Sequence, residues 1–365
     1  MKKIISVLTV ILLLSQIFTV NCLALDVSAH SAYVIDGEEG IAVYEKNANE
    51  KMGMASTTKI MTCLVAIENC PLEKKVAVSD KAIGVEGSSI YLQKGEMLTM
   101  KHLLYALMLQ SANDAATAIA CEISGSTEGF AELMNKKAQE LGLKNTHFTN
   151  PHGLYDENHY TTARDLALIT KHALDNPTFR EIVSTKKTVI PLNNDEGARA
   201  LVNHNKLLRI YDGAIGVKTG FTKKTGRCLV SAAQKDDTTI IAVTLNAPDD
   251  WNDHKSMLDM GFDKIQTVSL ACEGQYNCKV SVVGGQSDYV TLTNTEGLKY
   301  TYLKENANIT SEIIHDRFIF APVKQGEVIG YVVFYNNGEE IGRIKLTAQN
   351  SVEKPVSKKK LFGIF

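Results

Sequence analysis

Three short segments of this chain carry side chains that could do chemistry together. The first is Ser56-Thr57-Thr58-Lys59, a hydroxyl and an amine three residues apart. On a helix that spacing leaves the two side chains roughly 60° apart about the axis, so both can face one pocket. A serine hydroxyl is a weak nucleophile until a base takes its proton. A desolvated lysine can be that base, because burial disfavours its charged form. A helix N-terminus adds amide donors and a partial positive potential that favour an oxyanion. The spacing alone is common, and a capping serine near an exposed lysine would read the same way.

The second segment is Ser111-Ala112-Asn113, between two apolar stretches. It suits a proton shuttle (Ser111) and an amide that holds a substrate peptide (Asn113). Ordinary turn chemistry explains it equally well, since both residue types bond their own backbone. The third is Lys218-Thr219-Gly220, followed by Phe221. On a strand, Lys218 and Gly220 point one way and Thr219 the other. A lysine and a threonine hydroxyl suit a carboxylate, and a glycine lets a ligand lie against the backbone.

The elements that must position these groups follow from periodicity. A hairpin is expected over 30–46, with strands at 32–35 and 41–44 around the Asp36-Gly37 turn. Apolar residues Ile60, Met61, Leu64, Val65 and Ile67 predict a helix from about Ser56 to Pro71. Further helices are expected at 101–109, 115–123 and 127–141, and from Thr162 to about Leu174, with Asp165 placed for a capping box. Strands follow at 228–233 and 239–245, then a helix near 252–264. From about 268 the texture becomes short β runs at 279–283, 289–292, 331–334 and 341–346, separated by turns. The order of elements is that of an α/β or α+β unit followed by a small all-β unit.

The three segments in this order are a close variant of the trio that marks β-lactamases and penicillin-binding proteins, with Ser-Ala-Asn as the second member. The stretches ASTTKIMT (55–62), SANDAATAIA (111–120) and GVKTGFT (216–222) resemble the low-molecular-mass penicillin-binding D-alanyl-D-alanine carboxypeptidases. Asn150-Pro-His-Gly-Leu154 and Thr162-Ala-Arg-Asp-Leu-Ala167 are similar to that family as well. The resemblance covers about 28–265 strongly and the β-rich remainder more loosely. It implies an α/β (α+β) catalytic domain of the β-lactamase/transpeptidase-like fold with a small C-terminal all-β domain. By motif, Ser56 attacks the carbonyl between two D-alanines, Lys59 is general base and Ser111 relays a proton. Asn113 holds the peptide, and Lys218 and Thr219 receive the terminal carboxylate. Backbone amides of Ser56 and Phe221 supply an oxyanion hole, with Gly220 lining the approach. The implied partners are a wall pentapeptide ending in D-Ala-D-Ala and β-lactams as covalent inhibitors; no cofactor or metal is implied. His152, in a loop that borders the expected pocket, reads as a surface histidine as readily as a catalytic one.

Two rivals share the motifs. A class A-like β-lactamase needs a deacylating glutamate between the second and third segments; Glu157 is there without the asparagine spacing expected of it. A non-catalytic sensor on the same fold has no physical need for Ser56 and Lys59 together.

The 365 residues are 44% hydrophobic and 22% charged, an ordinary globular composition that fits two domains. Lys2 and Lys3 precede an apolar run that is short for a membrane span and closes at Ala24, the layout of a cleaved signal peptide. Its removal deletes two lysines and no acids, so the formal charge moves from −2 to −4. That balance and export argue against nucleic acid. The expected divisions are 1–24 signal peptide, 25–267 catalytic domain, 268–349 β domain and 350–365 tail. The tail carries Lys354, Lys358, Lys359 and Lys360, then Leu361, Phe362, Ile364 and Phe365; it reads either as a solvated end or as a weak membrane-surface contact. The enzyme would then be secreted or attached to the outer face of the cytoplasmic membrane. Cys63, Cys70 and Cys121 read as small buried hydrophobes, and Cys272 with Cys278 allows a disulfide.

Overall fold

The computed structural model describes residues 25–192, 197–305 and 307–355. The expected signal peptide and the last ten residues of the tail lie outside this range.

The expected hairpin forms from β1 (Ser31–Asp36) and β2 (Ala42–Lys46). Asp36 closes it, accepting from the amides of Glu38, Glu39 and Ile41 at 2.8, 2.7 and 2.5 Å. Two short ribbons follow, β3 (Lys75–Ala77) with β4 (Met97–Thr99), and β5 (Lys187–Leu192) with β6 (Gly197–Val202). The long strands β7 (Ala214–Thr222), β8 (Gly226–Lys235) and β9 (Thr238–Leu245) complete an antiparallel sheet in the order β2-β1-β9-β8-β7.

Every residue of β9 is buried. The reason is the period-2 alternation of a strand covered on both faces. Ile241, Val243 and Leu245 join Tyr33 and Ile35 of β1 in one core, while Ile240 and Ala242 join Ala32 and Val34 in another. Six helices stand on the first side: α1 (Lys59–Asn69), α2 (Met100–Leu109), α3 (Asn113–Ser124), α4 (Thr127–Glu140), α5 (Ala163–Leu174) and α6 (Pro177–Ser184). A four-residue turn, α7 (Leu207–Ile210), precedes β7. On the second side lies α8 (Asp250–Lys264), which contributes Met257 and Leu258. α1 is buried from Lys59 through Ala66, so it is the central helix of its layer. Buried Ala115, Ala116, Ala118 and Ala120 let α3 approach its neighbours closely.

Thr162 caps α5 by accepting from the Asp165 amide at 3.0 Å. The reciprocal half of the expected capping box is not made. The Asp165 carboxylate instead takes the Asn145 amide and the Thr146 hydroxyl at 3.1 and 2.8 Å, tying down the preceding loop.

The β-rich remainder starts at residue 265, immediately after α8. β10 (Ile265–Ala271) pairs β13 (Leu298–Leu303). The other six strands are β11 (Asn277–Val283), β12 (Tyr289–Thr293), β14 (Ile309–His315), β15 (Phe318–Phe320), β16 (Val328–Asn336) and β17 (Glu339–Ala348). They form one sheet in the order β14-β16-β17-β12-β11-β15 with its own core of Val280, Val290, Leu292, Val332, Ile344 and Leu346. Cys272 and Cys278 are both free, so the disulfide allowed by their spacing is not formed. Cys63 and Cys70 are buried as expected, and Cys121 is half-buried.

Candidate active site

Ser56 lies on a 3-10 turn, Ala55–Thr58, that leads into α1, rather than within the α-helix itself. Ala55 sits at φ +46°, a conformation non-glycine residues rarely adopt. Local bonds hold it there: the hydroxyls of Thr57 and Thr58 donate to the carbonyls of Met54 and Ala55 at 2.6 and 2.8 Å. The turn is wedged from two sides by glycines. A Cβ on Gly153 would come within 1.9 Å of the Ala55 carbonyl oxygen. A Cβ on Gly220 would stand 3.0 Å from the Ser56 amide nitrogen. Gly220 is therefore where β7 lies against the nucleophile's turn, which is the close approach its position suggested.

Lys59 is fully buried, and its Nζ has three neighbours. They are Ser56 Oγ at 3.0 Å, Asn113 Oδ1 at 2.7 Å and the His152 carbonyl at 2.6 Å. The Asn113 amide is oriented by its other end, which donates to the Glu86 carbonyl at 2.5 Å. Burial holds the Lys59 ammonium well below its ordinary pKa, and the positive charge of Lys218 pushes the same way. A neutral amine has two N–H groups and one lone pair. Asn113 Oδ1 and the His152 carbonyl can only accept, so they take the two N–H groups and leave the lone pair toward Ser56. That is the geometry of a general base.

The His152 carbonyl is delivered by a tight loop. Asn150 Oδ1 accepts from the amides of Gly153 and His152 at 2.7 and 3.3 Å, and its Nδ2 donates to Leu154 O at 3.0 Å. The imidazole of His152 turns back on the loop, accepting from the Leu154 amide at 3.2 Å. Burial and the nearby Lys59 push its pKa down to about 3. His152 thus enters the site through its main chain.

Ser111, at φ +59°, sits between α2 and α3. Buried Asp114 fixes the neighbouring loop, accepting from the Ser89 hydroxyl at 2.6 Å and the amides of Ile90 and Leu92 at 3.1 Å. Lys218 is buried under β7, with its Nζ donating to the Thr219 carbonyl at 2.8 Å. Burial pushes its pKa down to about 7.

A cavity of about 350 Å³ collects Ser56, Ser111, Thr219, Gly220 and Phe221. Lys59, Asn113 and Lys218 stand behind it as buried support. The motifs missed Ser88, His204, Arg227, Asp250 and Trp251, which also line it. Arg227 opens β8 and pairs Asp250 at the start of α8 at 2.9 Å, while its guanidinium lies 5.9 Å from the Trp251 ring. No short-range spacing announces this group. Glu157, the carboxylate that a β-lactamase reading would use, is exposed to solvent.

A serine backed by a buried lysine, in a cleft between a helical layer and a sheet edge, defines a serine-type hydrolase of the penicillin-binding class. The chain belongs to the D-alanyl-D-alanine carboxypeptidase family, whose model matches residues 18–249. The model of the penicillin-binding protein 5 C-terminal domain matches residues 266–354. The chain is 37% identical over 336 residues to the D-alanyl-D-alanine carboxypeptidase DacF of Bacillus subtilis, covering 89% of this chain and 86% of the relative. It is 30% identical to the D-alanyl-D-alanine carboxypeptidase DacC of Escherichia coli, over 90% of this chain and 85% of that protein. Among solved structures, penicillin-binding protein 5 of Haemophilus influenzae superposes with a TM-score of 0.66 at 29% identity, covering 90% of this chain and 98% of that one. The DD-transpeptidase of Streptomyces K15 gives 0.61 at 35% identity, covering 65% of this chain and 98% of that one.

Proposed function

We propose that the protein is exported and removes the terminal D-alanine from peptidoglycan pentapeptides through an acyl-enzyme on Ser56. The observation that carries this reading is the fully buried Lys59 amine, 3.0 Å from Ser56 Oγ and otherwise bonded to acceptors. Lys59 takes the Ser56 proton as Oγ attacks the carbonyl between the two D-alanines. Amides of Ser56 and Phe221 stabilise the oxyanion. Ser111 passes the proton to the leaving D-alanine amine, and Asn113 holds the acyl peptide. Lys218 and Thr219 bind the terminal carboxylate, with Lys218 acting by its charge from behind the strand. Water, activated by the same lysine, then releases the shortened peptide.

A β-lactam carries a carboxylate and a strained amide in the same relation, so it acylates Ser56 as well. Exposed Glu157 offers no base for rapid release of that adduct, which favours a lasting inhibitor complex over β-lactamase action. The catalytic unit runs from residue 25 to the end of α8 at Lys264, and the β unit from Ile265, three residues before the expected 268, to at least Val352, which is buried in its core beyond the expected end at 349; a leader at 1–24 directs export. The basic and apolar tail adds a peripheral membrane contact, and nucleic acid is no partner.

The test is D-alanine release from a pentapeptide ending in D-Ala-D-Ala, by residues 25–349 and by Ser56→Ala. Release by the parent and none by the variant supports the reading. Equal release by both sinks it.

A further inference from the structure

The outer face of one edge of the C-terminal sheet is apolar where a solvated strand face would be polar. In β11 and β12 the inward residues Val280, Val282, Val290 and Leu292 fill the core. Alternation sends Lys279, Ser281, Val283 and Tyr289 outward. The edge strand β15 pairs in parallel with β11, placing Phe318 beside Ser281 and Phe320 beside Val283. Ser281 in turn pairs Tyr289. One outward patch therefore holds Phe318, Phe320, Val283 and Tyr289, with exposures of 51%, 69%, 47% and 48%. The two phenylalanine rings pack edge to face at 5.6 Å. Lys279 closes the rim, its Nζ 4.3 Å from the Tyr289 ring centre.

The chain leaves the domain at the same corner. Val352 bridges Val323, two residues beyond β15 and its neighbour Ala321. The amide of Gln286, in the turn joining β11 and β12, donates to the Glu353 carbonyl at 2.8 Å. Beyond residue 355 the sequence runs Val-Ser-Lys-Lys-Lys-Leu-Phe-Gly-Ile-Phe. Ten residues reach at most about 35 Å from that corner.

We propose that the Phe318/Phe320 edge is a membrane-contacting surface that dips its aromatic rings into the interfacial region of an anionic bilayer. Exposed aromatic side chains rimmed by lysine suit that region. A single short apolar segment gives only marginal, reversible membrane binding, so a second contact is what makes attachment persist. Three consecutive lysines in the tail supply attraction to anionic headgroups. This inference does not depend on the catalytic reading, because its readout is binding rather than turnover.

The experiment uses residues 25–365 and sedimentation with vesicles of 30% phosphatidylglycerol in phosphatidylcholine. The variants are Phe318→Ser/Phe320→Ser, truncation after residue 355, and both together. A Val189→Ser/Val202→Ser control removes equally exposed apolar side chains from the β5–β6 ribbon. The expected result is about a tenfold or greater loss of vesicle affinity for the phenylalanine pair, further loss in the combined variant, and none in the control. D-alanine release and the melting temperature should stay at the parent level in the phenylalanine pair. Three results overturn the proposal: unchanged vesicle affinity in the phenylalanine pair, a dimer in light scattering that those substitutions dissolve, or a tail-truncated protein that binds vesicles no better than the combined variant.

Discussion

Asn113→Asp is the substitution that most sharply separates a neutral base at Lys59 from a lysine held charged. Asn113 Oδ1 stands 2.7 Å from the Lys59 amine, and the other end of the amide is fixed on the Glu86 carbonyl. Replacing the amide by a carboxylate keeps the shape, removes the donor to the Glu86 carbonyl, as Asn113→Ala also does, and adds a full negative charge against a buried amine. Two unit charges 4 Å apart attract by about 4 kcal/mol at an effective dielectric constant of 20. This pair is closer, but the amide oxygen it replaces already supplies part of the attraction, so about 4 kcal/mol is a fair figure. One pKa unit corresponds to about 1.36 kcal/mol, which moves the Lys59 ammonium up by about three units. A larger fraction of the base is then protonated on the rising limb, and acylation there falls by up to about a thousandfold. The variant's rising limb should lie at higher pH than the parent's and climb about tenfold per pH unit until loss of the Lys218 proton near pH 7 offsets the climb. The assay is the second-order rate of labelling by a fluorescent penicillin between pH 5 and 10, beside Asn113→Ala. The alanine variant loses the bond without gaining charge, so its rate falls with no upward shift of the rising limb. An aspartate variant whose profile keeps the parent's position on the pH axis would refute Lys59 as the base.

Lys218→Met should lower kcat/KM for the pentapeptide by about a hundredfold or more, mostly through KM. It should also abolish the falling limb of kcat/KM near pH 7, where Lys218 loses its proton; steady-state kinetics against pH check both. Gly153→Ala forces a Cβ to within 1.9 Å of the Ala55 carbonyl at a backbone φ of +86°. It should cost about 2 kcal/mol or more, read as a lower urea midpoint. His152, His159 and His254 are held neutral by burial, with pKa values pushed down to about 3, 4 and 3. Unfolding frees them to take up protons below about pH 6.5. Their stabilisation is therefore complete above that pH and is lost as pH falls toward 4, by about 1.4 kcal/mol per unit for each histidine. Urea titrations at pH 7, 6 and 5 check it, and His254→Asn should flatten the slope.

The long amphipathic elements were legible because one strong pattern decided each of them. The helices at 100–109, 127–140 and 163–174 bury a regular stripe, and β8 and β9 have buried, largely apolar centres. The ribbons β3–β4 and β5–β6, the short helices α6 and α7, and strands β10, β13, β14 and β15 were not read. β14 shows why: its residues are nearly all exposed, so nothing forces an alternation into its sequence. The site divides in the same way. Ser56, Lys59, Ser111, Asn113 and residues 218–221 are carried by local spacing, and the structure brings them to one cleft and its buried wall. The His152 carbonyl is a main-chain group that any residue supplies, so its position left no mark on the side-chain pattern. Arg227 and Asp250 meet only because β8 begins where α8 begins, a contact that sequence spacing does not encode. The 3-10 geometry at Ser56 depends on Gly153 and Gly220 packing from distant segments.

The most direct test of the central claim is mass spectrometry of the protein after brief exposure to benzylpenicillin, followed by peptide mapping. The account predicts one adduct of the mass of the intact drug per chain, carried by the peptide that contains Ser56 and absent from Ser56→Ala. An adduct on any other residue, or a Ser56→Ala protein that labels like the parent, would contradict it.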